Sequence, residues 1–233
     1  MLDFVGTVCS IALMFLVVTS LIVSIEASRT GKLVLAGGIG LWVGLSMAAS
    51  AAGWLTISRP FPVIGLFVAA PLVAAAVAAG SPIARRALRG LPMPLLIGLN
   101  VGRVVAFLFL LLAADGRLAG PFPYSAAWGD IITGVLALFL IQRAGIDRSR
   151  WAIMGWNLFG IADLVAAVAL GVMSGEGSPL QVFHFAPGSA AMQVLPWSFV
   201  PTVLVPFYLI MHAIIAVQLS RREAVSPSRQ VPG

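Results

Sequence analysis

Apolar runs of about twenty residues follow one another along this chain, and that recurrence limits its fold more than any other feature. A backbone in hydrocarbon must satisfy its own N–H and C=O groups, so a run of this length reads as a spanning helix. The strands of a membrane barrel would alternate polar and apolar residues over about 10 positions, and these runs do not. Only 9% of the residues are charged, against about a quarter in soluble domains. Seven runs stand out: Phe4–Ile25, Leu33–Thr56, Pro62–Ile83, Pro94–Ala114, Ala126–Gln142, Trp151–Met173 and Ser198–Ser220. The expected fold is an all-α membrane protein with seven transmembrane helices in one domain, residues 1–220. A polar, proline-bearing tail, 221–233, is expected to be disordered. The first run follows Asp3, has no basic n-region and no A-x-A cleavage site after it, and is expected to be a retained helix.

The net charge of +6 would suit a nucleic-acid partner, but the basic residues stand in small groups between apolar runs. Membrane topology explains them better. Alternate loops carry Arg29 and Lys32, then Arg85, Arg86 and Arg89, then Arg143, Arg148 and Arg150, then Arg221, Arg222 and Arg229; the other loops hold only Arg59 and Arg117. This bias predicts an outside N-terminus and a cytoplasmic C-terminus in the inner membrane of a bacterial cell. The expected partners are the lipid bilayer and a small solute or a proton; nucleic acid is not expected. Gly40, Gly44 and Ala48 form a small-xxx-small row suited to close packing within the chain or to a dimer, so oligomeric state stays open. The loop 175–197 is apolar enough to lie on the membrane, anchored by Phe183, Phe185 and Trp197, or to dip back into it.

The polar residues inside the runs are the candidate site. A buried charge in hydrocarbon needs a partner or a task. Asp163 lies near the centre of the sixth run, with Asn157 before it; the fourth run holds Asn100 and Arg103; the fifth holds Asp130; the seventh holds Tyr208 and His212. At about 1.5 Å per residue, the order from outside to inside is Asp130, Asp163, Arg103, His212, with both asparagines near the level of the histidine. Asp130 falls roughly 7 Å below the outer edge if its helix begins at Ala126. Arg103 is the natural partner of Asp163, since a guanidinium holds a carboxylate by two hydrogen bonds. One arginine between two aspartates leaves an odd negative charge, which a proton would neutralise. The polar core therefore reads as a proton- or solute-handling site, with a static Arg–Asp brace as the alternative. Pro196, Pro201 and Pro206 recur every five residues; each later one frees a backbone carbonyl, as in the interrupted helices of carriers, or marks a bent packing helix.

No nucleotide-binding, metalloprotease or serine-hydrolase motif is present, and an enzyme is not expected. His184 and His212, the two histidines, fall on opposite sides, and Cys9 is alone, so no metal and no cofactor are expected. Lys32 is the single lysine, which excludes the retinal linkage of the microbial rhodopsins, and no Pro-Gln pair supports a sugar carrier of the PQ-loop type. The stretches WGDIITG (128–134) and PWSFVPTVLVPFYLIMH (196–212) resemble uncharacterised bacterial multi-pass inner-membrane proteins. That resemblance implies the class and no activity.

Overall fold

The computed structural model describes residues 1–56, 63–142 and 150–224. Arg59, Pro62, Arg143, Arg148 and residues 225–233 lie outside the described residues, as do the side chains of Arg221 and Arg222. Among the described residues the structure is all-helical: α1 (Leu2–Ser24), α2 (Arg29–Ala51), α3 (Val63–Ala78), α4 (Pro82–Arg89), α5 (Met93–Leu99), α6 (Phe107–Ala114), α7 (Phe122–Gln142), α8 (Arg150–Met173) and α9 (Val205–Ala224). A 3₁₀ stretch, Asn100–Ala106, joins α5 to α6, and one π turn, Val200–Leu204, leads into α9. Among the described residues six helical segments are long and apolar enough to cross a membrane, counting Met93–Ala114 and Val200–Ser220 as one each.

The third expected run is two helices. α3 ends at Ala78, and α4 turns away from it by 106°. The break has a local cause. Gly80 and Ser81 loosen the backbone, and Pro82 at the first turn of α4 suits a helix start rather than a continuation. Arg85 and Arg86 follow, and neither belongs in hydrocarbon. Other bounds shift less. α7 begins at Phe122, four residues earlier than expected, which places Asp130 about 12 Å along its helix rather than 7 Å. The last helix continues through Ala224, into the segment expected to be tail.

Burial divides the bundle. The spanning windows of α1 and α2 are each 17% buried, whereas Met93–Ala114 is 50% and Val200–Ser220 is 56% buried. The centre is therefore the 3₁₀-interrupted helix and α9, with α7 and α8 packed around them. Two apolar clusters fill it. One joins Leu96, Ile97, Trp156, Met211 and Ile215; the other joins Leu108, Phe109, Leu112, Phe122, Met192 and Trp197. Arg103 falls between them along the chain, on the tight 3₁₀ stretch.

Two readings about packing are narrowed. A Cβ at Gly40 or Gly44 would meet nothing within 4 Å, so among the described residues the two glycines make no close helix contact. Trp197 is not an outward anchor. It is 2% exposed, its ring packs on Gly6 of α1, and its Nε1 donates to Asp3 Oδ1 at 2.7 Å. Arg117 Nη1 donates to the same oxygen at 2.8 Å, closing that end of the bundle. The loop 175–197 folds over this end, held by Ala119 N–H donating to Gly188 O and Ser189 Oγ donating to Gly171 O. Gly188 has φ +58, and its α-carbon face abuts the Ser174 carbonyl, so no side chain fits there.

The prolines also find internal partners. Pro206 lacks the N–H that would bond to the Thr202 carbonyl, and Trp42 Nε1 of α2 donates to that carbonyl at 3.0 Å instead. Pro201 likewise cannot serve Trp197 O, which Val200 N–H takes at 3.0 Å. Of the two readings that the prolines left open, ligand binding and a bent packing helix, these partners fit packing.

Candidate functional site

The polar residues of four segments meet at one guanidinium. A 3₁₀ helix has three residues per turn, so Asn100, Arg103 and Ala106 share one face, and all three are buried. α7 lies against this stretch so closely that a Cβ at Gly134 would come within 3.0 Å of Val104 N and 3.1 Å of Val101 O. That approach brings Asp130 to Arg103. On α8, Asn157, Gly160 and Asp163 fall at three-residue spacing and are buried on one side. Glycine at 160 is what admits the α9 side chain: a Cβ there would lie 2.5 Å from His212 Cε1 and 3.2 Å from Arg103 Nη1.

Each nitrogen of the Arg103 head group has a partner. Nε donates to Asp130 Oδ1 and Nη2 to Asp163 Oδ2, both at 2.5 Å. Nη1 donates to His212 Nε2 at 3.0 Å. A guanidinium only donates, so this Nε2 accepts, and the imidazole carries its proton on Nδ1. Nδ1 then donates to Asn157 Oδ1 at 2.8 Å, and Asn157 Nδ2 donates to the His212 carbonyl at 3.2 Å. The Tyr208 ring lies under the guanidinium, 5.6 Å from Cζ to its centroid. The result is a fan centred on Arg103 rather than the ladder that depth counting suggested. Asn100 stands apart: its Nδ2 donates to Leu96 O at 2.9 Å, and its Oδ1 has no hydrogen-bond partner among the described residues.

Sequence reasoning missed two contributors. Trp156 donates from Nε1 to the Thr133 carbonyl at 2.9 Å, and its ring lies 5.2 Å from that of His212. Gly129 makes room for Asp163, whose carboxylate a Cβ would overrun. The available signal was placement: Trp156 precedes Asn157, and Gly129 precedes Asp130.

The two aspartates differ in surroundings. The Asp163 side chain is 6% exposed and the Asp130 side chain 14%. Asp130 borders two cavities. One, of about 50 Å³, is walled by Cys9, Ser10, Arg103 and Tyr208, and would hold about three waters at roughly 15 Å³ each. The Tyr208 hydroxyl beside Gly102 has no hydrogen-bond partner among the described residues. The other cavity, of about 190 Å³, is largely apolar and is lined by residues of α3, α7 and α8, among them Ile64, Ala126 and Leu164.

Residues 60–220 match the family described as a domain of unknown function, DUF8737. The chain belongs to this family. The match spans α3 to α9, so every side chain of the Arg103 fan lies within the DUF8737 segment, and the two peripheral helices precede it. No curated protein and no solved structure matches the chain.

Proposed function

We propose that this DUF8737 protein is a proton-linked carrier of a small solute in the bacterial inner membrane, with Asp130 as the exchanging carboxylate. In this reading the bent pair α3–α4 counts as one crossing, which gives seven, with the N-terminus outside and the C-terminus in the cytoplasm. The paired ends support it: Asp3 and Arg117 meet at one end, while Arg29, Lys32, Arg85, Arg86 and Arg150 belong to the other.

One observation carries the functional reading. A single guanidinium is shared by two carboxylates, and the more exposed of them borders both cavities. With His212 neutral in the tautomer above, the ionised cluster holds one negative charge without a match. A proton or a small cation on Asp130 completes it. Asp163 stays bound to Arg103 throughout and keeps the guanidinium in place.

Reconstituted in liposomes with an internal pH dye, the wild type is expected to dissipate an imposed proton gradient when its solute is supplied, and Asp130→Asn is not. Absence of flux across a broad panel of small solutes, from protein that is folded and correctly inserted, would remove this reading. A static brace is the second reading, favoured by the full engagement of Arg103, 1% exposed at its side chain. A brace makes the losses non-additive: once Arg103→Gln has removed the guanidinium, Asp163→Asn should cost little more or recover stability.

A further inference from the structure

We infer that the angle between α3, α4 and α9 is a binding site for one anionic phospholipid. α4 is nearly perpendicular to α3, so with α3 across the membrane α4 lies along the interface. Its sequence PIARRALR divides accordingly: Ala87 is buried against the bundle, while Arg85 and Arg86 are exposed. Gln218 of α9 fixes its far end, donating from Nε2 to the carbonyls of Leu91, Arg89 and Leu88 at 3.0, 3.3 and 3.4 Å, groups that a helix C-terminus otherwise leaves unpaired. The arginines are thus held on a fixed platform.

Above this platform runs an apolar groove of about 340 Å³ between α3 and α9. It exists because α3 offers alanines, Ala75, Ala76 and Ala79, against Ile210, Ala213 and Val217 of α9. From Leu209 to Val217 the groove is about 12 Å long, close to the roughly 15 Å of one leaflet's hydrocarbon. Arg85 lines both the groove and the basic recess at its foot, where Pro82 and Arg86 also lie. One end is long, apolar and a leaflet deep; the other is cationic and at interface level. A phospholipid with an anionic head has that distribution of chemistry, and neither a free phosphate nor a zwitterionic lipid does. Glu26 reaches the end of α4, against Gly90, while the recess itself is lined by Pro82, Arg85, Arg86 and Arg89.

The test titrates the full chain in detergent with dioleoylphosphatidylglycerol, dioleoylphosphatidylcholine and glycerol 3-phosphate, counting bound molecules by native mass spectrometry. Near an anionic headgroup each arginine is expected to contribute about fivefold, so phosphatidylglycerol should be retained about 25-fold better than phosphatidylcholine. Glycerol 3-phosphate alone should not be retained. Arg85→Gln with Arg86→Gln should bring the two lipids level. Ala76→Phe fills the groove and leaves both arginines, and should also abolish the preference; Ala79→Leu is read beside it in case one of them fails to fold. Equal retention of the two lipids by the wild type overturns the site. So does a preference that survives a folded groove-filling variant, because diffuse attraction of charge needs no groove. Tight retention of glycerol 3-phosphate would make the recess an anion site and overturn the lipid assignment.

Discussion

Gly129→Ala is the substitution that most directly tests the packing around Arg103. Alanine normally favours a helix over glycine by about 1 kcal/mol. At this position the added Cβ would run into the Asp163 carboxylate and lie 3.0 Å from its far oxygen. A flexible side chain would swing aside. Asp163 cannot do so while keeping its 2.5 Å bond to Arg103 Nη2. Either α7 and α8 separate, at an overpacking cost of about 1–3 kcal/mol, or the carboxylate leaves its partner in a buried site, at about 3–5 kcal/mol. Set against the propensity gain of about 1 kcal/mol, the net is a loss of about 2–4 kcal/mol if the ion pair breaks. Gly40→Ala is the control, because nothing lies within 4 Å of its Cβ; it should be neutral or stabilising by up to about 1 kcal/mol. Reversible unfolding in mixed dodecyl maltoside and sodium dodecyl sulfate micelles, followed by tryptophan fluorescence, measures both. In an Asp163→Ala background the group in the way is gone, and Gly129→Ala should no longer cost stability. Equal stability of the two alanine variants in the wild-type background, or an unchanged penalty in the Asp163→Ala background, would refute the collision.

Arg103→Lys should behave as a loss of function for the network, since an ammonium cannot serve Asp130, Asp163 and His212 in the directions that a guanidinium fork does; an unfolding loss of about 3–5 kcal/mol is expected from the stranded carboxylate. Trp42→Phe should cost about 1–3 kcal/mol by leaving the Thr202 carbonyl unpaired, and Pro206→Ala should recover much of it by restoring a backbone N–H to that carbonyl. Trp197→Ala should cost about 3–5 kcal/mol through the cavity left beside Gly6, and should speed hydrogen exchange in the loop 175–197.

Much of this arrangement was legible in the residues. Apolar runs marked the six described helical segments long and apolar enough to cross a membrane, though not the bend that splits the third run, and the expense of a charge in hydrocarbon singled out Arg103, Asp130 and Asp163, which do meet. What stayed hidden has particular causes. Depth counting needs correct helix starts, and α7 begins at Phe122, ahead of the polar-looking Tyr124 and Ser125. A ladder was expected because each helix was counted as a regular α-helix. The 3₁₀ stretch rises faster and turns by thirds, which points Asn100 and Arg103 the same way and lets one side chain reach three partners. The glycine pattern misled for another reason. Spacing shows that close approach is allowed, not that a neighbour is present: Gly129, Gly134 and Gly160 each have one, and Gly40 and Gly44 do not. Trp197 looked like an interfacial anchor because aromatic residues beside a run often are; Asp3, almost 200 positions away, gives its indole N–H a partner inside.

The two aspartates give the sharpest separation between charge and geometry. By charge alone Asp130→Asn and Asp163→Asn are equivalent, since each leaves one carboxylate for one guanidinium. Their surroundings differ. Asp163 is wedged against Gly129, its side chain 6% exposed, and an amide there presents either a neutral acceptor or an N–H facing the Arg103 donors. Asp130 still pairs with Arg103, so the cost is that of a buried hydrogen bond to a charged group lost without room to rearrange, about 1.5–3 kcal/mol. Asp130 borders the two cavities, has somewhere to turn, and carries the charge that the cluster holds in excess. Its replacement by Asn leaves a matched Arg103–Asp163 pair and an amide with room to turn, and should cost about 0.5–1.5 kcal/mol, the net worth of an ordinary hydrogen bond. A gap of about 1 kcal/mol or more between the two variants is therefore expected in the same micellar unfolding assay. Equal losses would mean that Arg103 holds both carboxylates alike, and Asp130 would then have no claim to be the exchanging group.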